Sequence, residues 1–196
     1  MQNNEIIQKK IKNLAIISTI LLLLIYVWAL VFKLGNEEIL LRNYNNLKDM
    51  SLIDRIMWDI IPFNYRGTDY YIKLQILATF LNCFIFAPFS IIVCYLLKKP
   101  KLWKIILISF TLSLCIEIIQ LSTPIGNPAT EDLITNTLSG IIGYSIYYFL
   151  LRKISLNKTY KMFIVVCVFL LIVVIYSIIS ISTISDTLYK ILTRTL

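Results

Sequence analysis

Glu117 and Gln120 close one apolar stretch of this chain, and Asp132, Asn136, Gly140 and Gly143 open the next. A carboxylate inside a membrane-spanning helix costs roughly 2.5–3.5 kcal/mol on insertion scales, so it is retained where it meets a partner, a wet cavity or a ligand. In such a setting Glu117 or Asp132 has the chemistry of a general acid or base. Gln120 and Asn136 add amide donors and acceptors. The spacing makes each set one surface. Residues 117 and 120 are three apart, and 132, 136, 140 and 143 step by four, four and three, so each set shares a helix face. A short loop between the two stretches holds them antiparallel, with both polar faces at similar depth. Two uses stay open: a binding or catalytic site, or a packing seam, where polar pairs between membrane helices contribute about 0.6 kcal/mol on average. Gly140 and Gly143 read as positions where a neighbouring helix approaches closely.

The elements that must position these residues are membrane helices. Of 196 residues, 58% are hydrophobic and only 15% charged, which excludes a water-soluble domain. Runs of about 18 apolar residues or more read as spans, because the hydrocarbon core is about 30 Å thick and a helix rises about 1.5 Å per residue. Five such runs are present: 13–32, 74–97, 102–121, 133–151 and 162–182. The expected fold is therefore all-α, a multi-pass transmembrane bundle of about five spanning helices. The first run is too long for a signal-peptide core and reads as an uncleaved span. Asn82, about two turns into the second run from its outer end, reaches the depth expected of Glu117 and Asn136. Pro88 lies further along the same run.

Charge predicts the orientation. Lys9, Lys10 and Lys12, then Lys98, Lys99, Lys101 and Lys104, then Arg152, Lys153, Lys158 and Lys161 fall on one side, with Glu5 the only acid among them. The loop from Ser122 to Asp132, on the other side, has no Lys or Arg. Positive-inside places the N-terminus in the cytoplasm and the C-terminus outside. The net charge of +8 is then a matter of topology and anionic lipid. Nucleic acid is not an expected partner, since no basic stripe is interleaved with exposed aromatics.

Several chemistries drop out. Without any histidine there is no Ser-His-Asp triad and no usual zinc site. Cys83, Cys94, Cys115 and Cys167 lack CxxC spacing and read as small hydrophobes within spans. No phosphate-binding loop or nucleotide fingerprint is present, so neither metal nor cofactor is expected. No internal repeat supports a transporter. On the outer side, Ile53, Ile56, Met57, Ile60 and Ile61 recur at helical spacing behind a Ser51–Asp54 capping pair. They predict a short amphipathic outer helix, either lying on the outer leaflet with Trp58 at headgroup level or solvated and packed on the bundle. Ile184, Leu188, Ile191 and Leu192 predict a second interfacial helix in the C-terminal tail.

At these residues the chain resembles the VanZ-like family of small bacterial integral membrane proteins. The resemblance rests on an ordered set: Asp59 to Phe63 (DIIPF), Asn82 with Phe86 and Pro88, Glu117 with Gln120, and Asp132 with Asn136, Gly140 and Gly143. It covers roughly 58–144, which suggests a VanZ-like core over 1–151 followed by an extra helix and tail over 152–196. Two departures stand out. Asp59 replaces the family's usual Asn, and Gly126 sits where the loop between the third and fourth helices normally carries an arginine. Arg66, or Arg55, is a candidate substitute.

The resemblance implies a cell-membrane protein acting at the envelope and tied to glycopeptide tolerance, teicoplanin above all. The leading expectation is a non-enzymatic protein that binds membrane lipids or a lipid-linked cell-wall precursor at the outer leaflet. Its binding set would be Asn82, Glu117, Gln120, Asp132, Asn136, Asp59 and Arg66. The alternative is a membrane enzyme using Glu117 or Asp132 as general acid or base on a lipid-borne substrate.

Overall fold

The computed structural model describes residues 2–28, 45, 48–51, 53–54, 69–97, 100–122, 129–183 and 193. Among them are helices α1 (Gln2–Tyr26), α2 (Asp69–Ile85), α3 (Ala87–Leu96), α4 (Leu102–Ser122), α5 (Thr130–Phe149) and α6 (Leu156–Thr183). A single 3-10 turn, Leu151–Lys153, joins α5 to α6, and the described residues contain no strand. Helices α2 and α3 are two halves of one rod, so the described residues form an all-α bundle of five rods, as the apolar runs predict. The outer helix expected over residues 53–61 and the tail helix over 184–192 fall almost wholly outside the described residues. Of the former, the capping pair is in place: Asp54 N–H donates to Ser51 Oγ at 3.2 Å, and the Ser51 hydroxyl donates to the Asp54 carboxylate at 2.7 Å.

Three rods, Gln75–Leu96, Leu102–Ser122 and Leu156–Ile179, are by themselves long and apolar enough to cross a membrane. The other two are of similar length but more polar, each for a visible reason. Helix α1 begins with polar turns through Lys12. Helix α5 carries Glu131 and Asp132 in its first turn and turns Thr135, Asn136, Ser139, Gly140 and Gly143 into the protein.

That inward polar face puts α5 at the centre, packed against α2, α3 and α4. Helix α1 packs on α3, and α6 lies along α1. Lipid tails are as apolar as leucine, so membrane helices associate through close packing and hydrogen bonds between small and polar residues. The distribution of side chains follows. Ser18, Ser109, Ser113 and Ser139 are fully buried, while Val165, Phe169, Ile172, Tyr176 and Ile179 form an exposed stripe along α6. A water-soluble monomer does not display such a stripe. This is a membrane protein.

The α2–α3 break shows how the bundle tolerates irregular backbone. Pro88 has no N–H and its ring crowds the carbonyl four residues earlier, so the helix cannot run straight through. Phe86 leaves the helix, and the groups freed there find partners on other rods. Its N–H donates to Ser139 Oγ of α5 at 2.8 Å. The Ile85 carbonyl accepts the Tyr26 hydroxyl of α1 at 2.8 Å. The Tyr26 ring stacks on Phe86 with centroids 4.9 Å apart. Backbone polar groups at membrane depth must be satisfied within the protein, and here two helices supply what the proline removes.

The cysteines depart in part from the expected packing. Cys94 is buried, but Cys115 is exposed. Cys167 lies within hydrogen-bonding distance of Ser18 Oγ, 3.0 Å away, and joins α6 to α1. The polar thiol finds a partner where a purely apolar residue would have none.

Candidate functional site

The candidate site is built where the end of α4 meets the start of α5 and the flank of α2. The end of α4 packs against the start of α5, with Ser113 and Glu117 beside its first two turns. The buried face of α4 is Ile105, Ser109, Ser113, Ile116 and Gln120. That stride matches the one on α5.

From the helix end inward, the polar groups pair in layers. Ala129 precedes the first residue of α5, and its N–H donates to Glu117 Oε2 at 2.8 Å. A helix start leaves unpaired N–H groups and a partial positive charge, and a carboxylate from the preceding helix answers both. Thr79 of α2 donates to Glu131 Oε1 at 3.2 Å. Asn82 Nδ2 donates to Asp132 Oδ1 at 2.6 Å, which ties α2 to α5. One turn deeper, Asn136 Nδ2 donates to Ser113 Oγ at 3.0 Å. The Ser113 hydroxyl in turn reaches the Asp132 carbonyl at 3.5 Å. Deeper again come the Ser139–Phe86 bond and a Ser90–Ser109 contact at 3.2 Å.

Gly140 lies against that last contact. A Cβ there would overlap Ser109 Oγ and stand 2.7 Å from Ser109 Cβ. A Cβ on Gly143 would overlap the Ala87 carbonyl oxygen and stand 2.9 Å from Ala87 Cα. Both glycines permit close helix contact, Gly143 at the first turn of α3 and so next to the break.

Asn82, Asp132 and Asn136 thus belong to one connected layer through Ser113. Glu117 sits at the same end and faces the α5 N-terminus, and Gln120 is buried on α4 at 2% exposure. Asp59, Arg66, Arg55 and the loop at Gly126 lie outside the described residues. Sequence reasoning passed over Ser109, Ser113 and Ser139. For Ser109 and Ser113 a signal existed: 109, 113, 117 and 120 step by four, four and three, as do 132, 136, 140 and 143.

One atom in this layer is unsatisfied. Asn136 is 3% exposed, and its Oδ1 is buried without a hydrogen-bond donor among the described residues. Leaving such an acceptor unmet costs about 1–3 kcal/mol. No group of His, Cys, Asp and Glu able to hold a metal ion occurs among the described residues.

Against known families, the VanZ/LLP1 model matches residues 16–152, from within α1 to the end of α5 and the turn beyond it. The chain belongs to the VanZ/LLP1 family. All five described residues of the candidate site fall within the VanZ/LLP1 match, and α6 follows it. No curated protein and no solved structure matches the chain.

Proposed function

We propose that this VanZ/LLP1 protein binds a lipid or lipid-linked cell-wall precursor at the outer leaflet and thereby contributes to glycopeptide, particularly teicoplanin, tolerance. The observation that carries the reading is Asn136 Oδ1, a buried acceptor without a donor among the described residues, one turn below the Asp132 carboxylate. A hydroxyl or ammonium group entering between α2, α4 and α5 would relieve the unmet acceptor and meet a carboxylate on the way. Pure interhelical packing does not need that second acceptor. In the orientation that positive-inside favours, this end of the bundle faces the outer leaflet, with Asp59 and Arg66 on the same side. The enzymatic alternative gains nothing comparable, because Glu117 is engaged with the start of α5.

The test uses a teicoplanin-sensitive Gram-positive host. Asn136→Leu removes both ends of the amide and fills a similar volume, so membrane expression is retained. Expected with it, and with Asp132→Asn and Glu117→Gln, is loss of tolerance at normal protein level. Full tolerance in all three variants returns these residues to packing alone. Incubating purified protein with cell-envelope lipids separates the remaining readings: retention without new products supports binding, and turnover supports the enzyme.

A further inference from the structure

At the opposite end of the bundle, a cavity of about 590 Å³ opens where α1, α3, the 3-10 turn and α6 meet. Its size falls within the roughly 300–1,000 Å³ of ordinary ligand sites. Gln8, Lys12, Tyr95, Tyr147 and Arg152 contribute polar groups to its wall, and no acidic residue lines it among the described residues. Leu97 and Ile154 make part of the remaining wall apolar.

Two features make this more than a gap between helices. The central carbon of the Arg152 guanidinium lies 3.8 Å from the centre of the Tyr148 ring, a cation–π contact that keeps the charge beside the cavity. The first turn of α6 enters the wall through Leu156 and Thr159, so the positive end of a 28-residue helix adds to the two cations. The Tyr95 hydroxyl is taken up by the Leu151 carbonyl, at 3.4 Å, but the Arg152 guanidinium, the Lys12 ammonium, the Tyr147 hydroxyl and the helix N-terminus match the oxygens of a phosphate, and the apolar wall matches the glycerol and acyl carbons beside it.

We propose that this cavity binds a phosphate group, that of an anionic phospholipid in the leaflet at the basic end of the bundle. The site shares no residue with the candidate site at the α4–α5 end, so its test stands apart from the reading above.

Full-length protein in a non-ionic detergent is titrated with dioctanoyl phosphatidylglycerol, dioctanoyl phosphatidylcholine and inorganic phosphate. Native mass spectrometry and thermal shift read the binding. Phosphatidylglycerol is expected to bind and raise the Tm, and the effect falls as salt is added. Losing both cations in Lys12→Gln/Arg152→Gln weakens it roughly thirtyfold, about fivefold per charge. Lys12→Gln alone, an exposed change, reports the smaller step if the pair impairs folding. Lys101→Gln/Lys104→Gln, on exposed residues at the start of α4, leaves binding unchanged. Equal stabilisation by inorganic phosphate supports the phosphate site and assigns it to a free anion. Equal affinity for phosphatidylcholine, or binding indifferent to Lys12 and Arg152, overturns the proposal.

Discussion

Asn82 and Asp132 are 50 residues apart in the chain, and the amide of one donates to the carboxylate of the other at 2.6 Å. The bond joins the rod broken at Phe86 to the helix at the centre of the bundle. It also keeps an ionisable group at the end of α5 in contact with a neutral donor. Asp132 is therefore anchored on one side by α2, while its backbone carbonyl meets Ser113 of α4.

A double-mutant cycle on this pair should return a modest coupling. Asn82→Ala, Asp132→Ala and the double variant, compared by reversible unfolding in detergent, are expected to give about 0.6–1.7 kcal/mol. Additive losses would mean that the two side chains do not support one another.

The two glycines should fail differently. Gly140→Ala places a methyl against the Ser109 side chain, with an expected loss of about 1–3 kcal/mol. Adding Ser109→Gly removes the obstacle and should restore much of the Tm. Gly143→Ala meets the Ala87 backbone instead, so adding Ser90→Gly should not rescue it, although Ser90 Cβ lies 2.8 Å away.

The helix break predicts a contrast between two serines on α5. Ser139→Ala strands the buried Phe86 N–H and should cost about 1–3 kcal/mol. Ser145→Ala deletes only a bond to the Ile141 carbonyl on its own helix, 2.9 Å long, and should be close to neutral. Tyr26→Phe removes the donor to Ile85 and is expected to resemble Ser139→Ala. Thermal unfolding in one detergent ranks all three.

Orientation is tested by cysteine labelling in intact cells on a background free of the native cysteines. A cysteine at Asn127 should react with an impermeant maleimide from outside. One at Lys99 should react only after the cells are opened. The reverse pattern would invert the topology and place the Asp132 end in the cytoplasm.

Much of the bundle was legible because its cause is local. Apolar runs of membrane length specify helices whatever their neighbours, and the 132, 136, 140, 143 stride specifies which side of α5 turns inward. Pro88 was visible, but the run that holds it read as one span. The partners were not legible. Thr137 and Ser145 bond to carbonyls four residues back on their own helix, while Ser113 and Ser139 reach other helices. A hydroxyl in a helix has both options, and its sequence position does not choose between them. Glu117 presents the same division. Its cost in a membrane was evident from residue type alone, but its bond to Ala129 N–H depends on how closely the end of α4 approaches the start of α5. Sequence alone determined the helices and the inward face of α5, since hydropathy and periodicity are properties of single segments. Only the tertiary structure decided that Asn82 meets Asp132 and that Ser139 and Tyr26 satisfy the break, because those bonds depend on the depth and rotation at which separate helices pack.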